Sequence, residues 1–186
     1  TQRADRPPKI FQQIFKKHLT NGTTYVIIVV QREKERNSKM AKVKMVCFDM
    51  DGTIADLYGV NGWLEMLREE NARPYEIAKP MWNMNELNEV LRELQKQGVE
   101  IRIITWLAKD STENYKEKTR QAKLQWLENQ GFPFNNFHGV AYGTTKANAI
   151  RKYLELGEQA ILIDDNAKIR QGWNMGATID PTTENI

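Results

Sequence analysis

From Met40 onward, short apolar runs alternate with longer stretches in which apolar residues recur every three or four positions. Few folds accept that alternation. The runs Lys42–Phe48, Val99–Ile104, Phe137–Tyr142, Ala160–Ile163 and Ala177–Ile179 read as strands, the last as an edge strand. The stretches between them read as helices. One covers Trp63–Glu70. A second is capped by Asn83 or Asn85, carries Leu87, Val90, Leu91 and Leu94 on one face, and stops at Gly98. A third begins at Ser111 or Thr112, carries Tyr115, Thr119, Ala122, Trp126 and Leu127, and ends before Gly131. A fourth is expected over Lys146–Leu156, ended by Gly157, and a fifth near Ile169. Strand–helix alternation of this kind predicts an α/β fold in three layers, a parallel sheet with helices on both faces. Right-handed crossovers then set the carboxyl ends of the strands along one edge, where such sheets bind ligands.

The 186 residues suit about one domain with a real core, 40% hydrophobic and 27% charged as in ordinary globular chains. Cys47 is the one cysteine, so the chain holds neither an internal disulfide nor a thiolate-rich metal site. No apolar run is long enough to span a bilayer as a helix, and no signal-peptide pattern is present, so the expected compartment is the cytoplasm, with no membrane partner.

The net charge of +3 is unevenly spread. Residues 1–39 hold 9 Lys/Arg against 3 Asp/Glu, a net of +6, which leaves −3 for residues 40–186. Within this leader, residues 10–19 suit a short basic amphipathic helix, Tyr25–Val30 a strand, and residues 31–39 a polar linker. Two readings stay open: a basic arm that binds nucleic acid by counterion release, or a tail with no partner, the commoner case. Met40, just before the first motif-bearing strand, is the expected natural start of a hydrolase domain over residues 40–186.

Four features fall at strand ends or helix starts: Asp49 and Asp51, Thr105, Lys146, and Asp164 with Asp165. Singly they are ordinary, since Asp-Gly makes turns and acidic pairs cap helices. Together they make a phosphate site. A carboxylate directly after a buried strand is held as a nucleophile must be, and a second one two residues on can move a proton at the leaving oxygen. Gly52 lets the backbone turn and present amides to an anion. The Thr105 hydroxyl and Lys146 ammonium supply donors where phosphoryl charge collects. Asp164 completes an oxygen set suited to a hard cation such as Mg²⁺. A calcium loop starting at Asp49 fails, because loop position six is Ile54 rather than glycine and position twelve is Val60 rather than glutamate. No Walker loop, GxGxxG or zinc-ligand cluster occurs, and His18 and His138 are read as surface or core residues.

The segments Phe48-Asp-Met-Asp-Gly-Thr-Ile54, Ile103-Ile-Thr105, Lys146 and Ile161-Leu-Ile-Asp-Asp165 resemble the four ordered motifs of the haloacid-dehalogenase-like hydrolases. The resemblance covers roughly residues 40–180. It implies a Rossmann-like core, Mg²⁺ and an aspartyl-phosphate intermediate, with Asp49 as nucleophile and Asp51 as general acid and base. It implies that Thr105 and Lys146 hold the phosphoryl oxygens, and that Asp49, the Asp51 carbonyl and Asp164 bind the metal. Asp165 would reach the metal through water or orient Lys146. An acid at position 51 points to phosphatase or phosphotransferase chemistry, since dehalogenases of the family lack it and transport ATPases carry Thr. The family's usual small residue after the second-motif hydroxyl is replaced by Trp106, which either shapes the pocket or packs on the sheet.

About thirty residues separate Thr53 from the helix near Met84, so the cap, over roughly 57–83, is small for the family. A small cap suits a large substrate or closure by a second subunit. Tyr58, Trp63, Tyr75 and Trp82 could stack on a nucleobase, although such aromatics more often form the segment's own core. Short bacterial and phage phosphatases and 5′-nucleotidases of the family look similar. The expected substrate is a small phosphorylated compound such as a nucleoside monophosphate. The alternatives are a terminal phosphate of DNA or RNA, or a non-catalytic binding role.

Overall fold

The computed structural model describes residues 42–182 and, ahead of them, Phe15–Lys16 (β1) and Val26–Ile27 (β2), which pair antiparallel. The sequence predicts a helix over 10–19, yet Phe15–Lys16 is a strand. A ten-residue helix is marginal alone, and the β-branched run around Val26 offers a pairing partner. The strand expected over Tyr25–Val30 is present at Val26–Ile27, and the remaining expectations for residues 1–39, among them His18, the linker and the basic arm, lie outside the described residues.

Strand β3 (Lys42–Phe48) has Met45, Val46, Cys47 and Phe48 all buried, because alternate side chains enter two different cores. After β3 come β4 (Ala55–Asp56), α1 (Trp63–Arg68), α2 (Arg73–Ile77), β5 (Lys79–Pro80) and α3 (Met84–Lys96). The chain continues through β6 (Glu100–Trp106), α4 (Glu113–Asn129), β7 (Asn136–Val140), α5 (Ala147–Ile150), β8 (Glu158–Ile163), α6 (Ala167–Gln171) and β9 (Thr178–Ile179). Five strands form one parallel sheet in the order β7-β6-β3-β8-β9. Val46, Phe48, Ile101 and Ile103 pack beneath α3 and α4, through Leu87, Leu91, Trp126 and Leu127. Met45, Cys47, Ile104 and Leu162 pack on the other face, with Ala147 and Ile150 of α5 and the nearby Trp173. The fold is therefore the expected α/β sheet with helices on both faces. Among the described residues no helix is long and apolar enough to cross a membrane.

Connections reverse direction between β3 and β8, which makes that gap the switch point where such sheets open a crevice. Phe48 stands in register with both Ile103 and Ile163, so Asp49 and Asp164 emerge side by side and Thr105 flanks them.

The helix expected over 146–156 is shorter. It ends at Ile150 and tightens into a 3-10 turn, Arg151–Tyr153, that sets the Tyr153 ring 4.1 Å beneath the Arg102 guanidinium. The insertion after β3 is clasped at its base by β4 pairing with β5. Its helices lean on α4 through a small core of Leu57, Tyr75 and Ala122, with Trp63, Leu67 and Ala72 packed against it. Three aromatic side chains pin it by donating to backbone carbonyls: Trp126 to Ala78 at 2.7 Å, Trp82 to Thr53 at 2.7 Å and Tyr115 to Asn71 at 3.1 Å. Tyr75 and Trp82 are thus structural.

Candidate active site

Asp49 leaves β3 while still bonded to the sheet, its amide donating to Ile163 O at 2.9 Å. The chain then curls. The amides of Thr53, Ile54 and Ala55 all donate to Met50 O, and that of Gly52 donates to Ala55 O. Gly52 adopts φ +77°, and a Cβ there would stand 2.6 Å from the Tyr58 ring and 2.7 Å from an Asp165 oxygen. Its contribution is therefore a tight turn and a close approach. Its own amide is bonded within the turn, to Ala55 O.

Two buried lysines divide the site. Lys146, next to α5, reaches Asp49 Oδ1 at 2.8 Å and Asp164 Oδ2 at 2.7 Å. Asp164 Oδ1 accepts from the Asn166 amide at 2.9 Å, and Arg170 donates to the Asp164 carbonyl at 2.6 Å. On the opposite side, Lys123 of α4 donates to Asp51 Oδ2 at 2.5 Å, Thr105 Oγ1 at 2.7 Å and Trp106 O at 3.0 Å. Sequence reasoning passes over Lys123. The available signal is its spacing: it lies one turn from Thr119 and from Trp126 and Leu127, so a lysine occupies the buried stripe of α4.

Asp49, Asp164 and Asp165 bring carboxylate oxygens within 4.8 Å of one another, a group that could hold a metal ion. Asp165 is held by Thr53, with Thr53 Oγ1 donating to Oδ1 at 3.3 Å and the Asp165 amide donating to Thr53 Oγ1 at 3.1 Å. Burial, reinforced by the Asp49 charge, pushes Asp164 up to about 6 against the pull of Lys146, and raises Asp165 as well. Burial likewise raises Asp51, with Lys123 opposing and Asp49 assisting. Burial works against the Lys146 ammonium, but Asp49 and Asp164 outweigh it and hold it above the ordinary lysine value. Four carboxylates thus face two ammonium groups. The excess of acid, all oxygen, fits a hard divalent cation such as Mg²⁺.

The mouth is aromatic. Tyr58, 52% exposed, meets Trp63 edge-on at 5.2 Å, and its hydroxyl is held above the usual tyrosine range by partial burial and by Asp51, Asp165 and Asp49. Across from the insertion, Trp106 lies 4.7 Å from Tyr142, which is 53% exposed, and donates to Thr144 O at 3.1 Å. Lys146 Nζ is 5.5 Å from the Trp106 ring, so this tryptophan borders the reactive groups. His138 lies away from them, against Arg102 at 3.1 Å, and burial with the Arg102 charge lowers it. Cys47 is buried in the sheet, its thiol pushed up to about 12.

No family model matches the chain, and no curated protein matches it significantly. Among solved structures, a chain of the Pnkp1/Rnl/Hen1 RNA repair complex is similar at 15% identity and a TM-score of 0.48. That similarity covers 79% of this chain and 44% of the other, so this chain spans less than half of its neighbour. At that level the likeness says nothing of function.

Proposed function

We propose that the chain is a magnesium-dependent phosphomonoester hydrolase of haloacid-dehalogenase-like type that works through an aspartyl-phosphate. The observation that carries this reading is the placement of Asp49. It follows a strand whose last four residues are buried, at the sheet's switch point, beside Asp164 and Asp165 and bonded to Lys146, with Asp51 two residues on.

In this mechanism the free oxygen of Asp49 attacks phosphorus as the bond from phosphorus to the ester oxygen breaks. Asp51 gives its proton to the departing alcohol. It then takes a proton from water as that water displaces phosphate from Asp49. Thr105 and Lys146 stabilise charge on the transferring group. Asp49, Asp164, Asp165 and the Asp51 carbonyl would hold Mg²⁺, which screens the anionic nucleophile from the anionic substrate. Burial shifts Asp51 upward, the direction that favours a proton on a group meant to donate one.

The exposed aromatics at the mouth favour an ester bearing a flat ring, such as a nucleoside monophosphate or the end of a polynucleotide. Mg²⁺-dependent release of phosphate from an aryl phosphate tests the reaction. Asp49→Asn is expected to lower it by roughly four orders of magnitude or more. No release across several metals and pH values would leave only a binding role. A panel of nucleotides, sugar phosphates and 3′- or 5′-phosphorylated oligonucleotides then separates the substrate classes.

A further inference from the structure

Lys123 is 0% exposed, and its ammonium has three protons to donate. All three are used, on Asp51 Oδ2, Thr105 Oγ1 and Trp106 O. A fourth side is closed by the Tyr75 ring of the insertion, whose centroid is 4.8 Å away. No donor is left for a substrate. Stability alone does not explain a lysine here, because well-packed apolar residues usually do as well as a buried ion pair or better.

The direction of each bond matters. Asp51 Oδ2 is occupied, so Oδ1 is the oxygen left to face a leaving group. Thr105 Oγ accepts from Lys123, so its own proton is free to point at a phosphoryl oxygen. One ammonium therefore sets the proton-transfer group and the hydroxyl donor together, in a dry pocket where such bonds hold geometry well.

We propose that Lys123 is a positioning residue that orients Asp51 toward the leaving oxygen and polarises Thr105 toward the phosphoryl group. This rests on the hydrolase reading above. It also gives the insertion a part in the chemistry, since Tyr75 seals the ammonium from water.

A leaving group that departs readily needs little protonation, and one that departs poorly needs much. The test measures kcat and KM with Mg²⁺ for an aryl phosphate of an acidic phenol and for an alkyl phosphate, in the wild type and in Lys123→Met. The kcat on the alkyl ester is expected to fall at least about tenfold further than that on the aryl ester, with KM little changed. Adding Lys123→Met to Asp51→Asn should cost less than about threefold more, because both changes remove one function. Equal losses on the two esters, or additive losses in the double variant, would overturn the proposal while leaving the hydrolase reading intact. A wild type inactive on both esters would instead remove the hydrolase reading, and this proposal with it. Should Lys123→Met not fold, Lys123→Gln keeps a donor for Thr105 and carries the same ratio test.

Discussion

At the ends of β3, β6 and β8, Asp49, Thr105 and Asp164 stand on or beside buried strands and are themselves buried. The insertion between β4 and β5 is held by a two-residue pairing and a small core, and its Tyr58 is more than half exposed. The two regions meet at the acidic group, whose Asp51, Asp165 and Asp49 all act on the Tyr58 hydroxyl. Groups that react must be fixed to a fraction of an ångström, and a parallel sheet covered on both faces supplies that rigidity. Groups that select among substrates can yield, and an exposed aromatic on a short insertion does so. The division implies that changes on the sheet side affect reaction rate and stability, whereas changes at the insertion's exposed Tyr58 affect recognition.

Lys146→Met should break the sheet side most severely. It leaves Asp49 and Asp164 buried without their shared ammonium, and removing one partner of such a pair costs about 3–5 kcal/mol. Denaturant unfolding measures that loss, and a change near zero would mean that the acids are already relieved some other way. On the insertion, Tyr58→Ala should raise KM for a nucleotide by roughly tenfold, the lower range for loss of one stacking ring, with kcat nearly unchanged. A fall in kcat with KM constant would move Tyr58 to the reactive side and dissolve the contrast.

The smallest effect concerns pH. The Asp164 carboxyl is raised to about 6, so in the metal-free fold its proton is favoured. That contribution is complete below the unfolded value and is lost as pH rises through about 6. Cation binding, which needs the carboxylates ionised, should therefore raise the Tm more at about pH 8 than at about pH 5. An equal rise at both would separate the metal from Asp164.

The sheet and the acidic strand ends are legible in the sequence because both follow from strict local patterns. Val46-Cys-Phe48 and Ile161-Leu-Ile163 are buried on both faces and run directly into aspartates. Helix α4 was legible too, down to Thr112, whose hydroxyl accepts from the Tyr115 amide. The partners of Asp51 were not. Lys123 lies 72 residues away in the chain, and only tertiary packing brings it to the carboxylate. The insertion was half legible. Tyr75 and Trp82 carry no local sign that they would be tied into its base while Tyr58 stays exposed. The 3-10 turn after Ile150 escapes helical periodicity, and the partner it gives Tyr153, Arg102, lies on a distant strand.

The central claim is that Asp49 takes the phosphoryl group. Protein mixed with an aryl phosphate and Mg²⁺, quenched in acid within the turnover time and digested, should yield a phosphoryl adduct on the peptide containing Asp49. The adduct should accumulate further in Asp51→Asn, which activates water poorly, and be absent from Asp49→Asn. Phosphate release by the wild type with no adduct in either protein, or an adduct that persists in Asp49→Asn, would contradict the account.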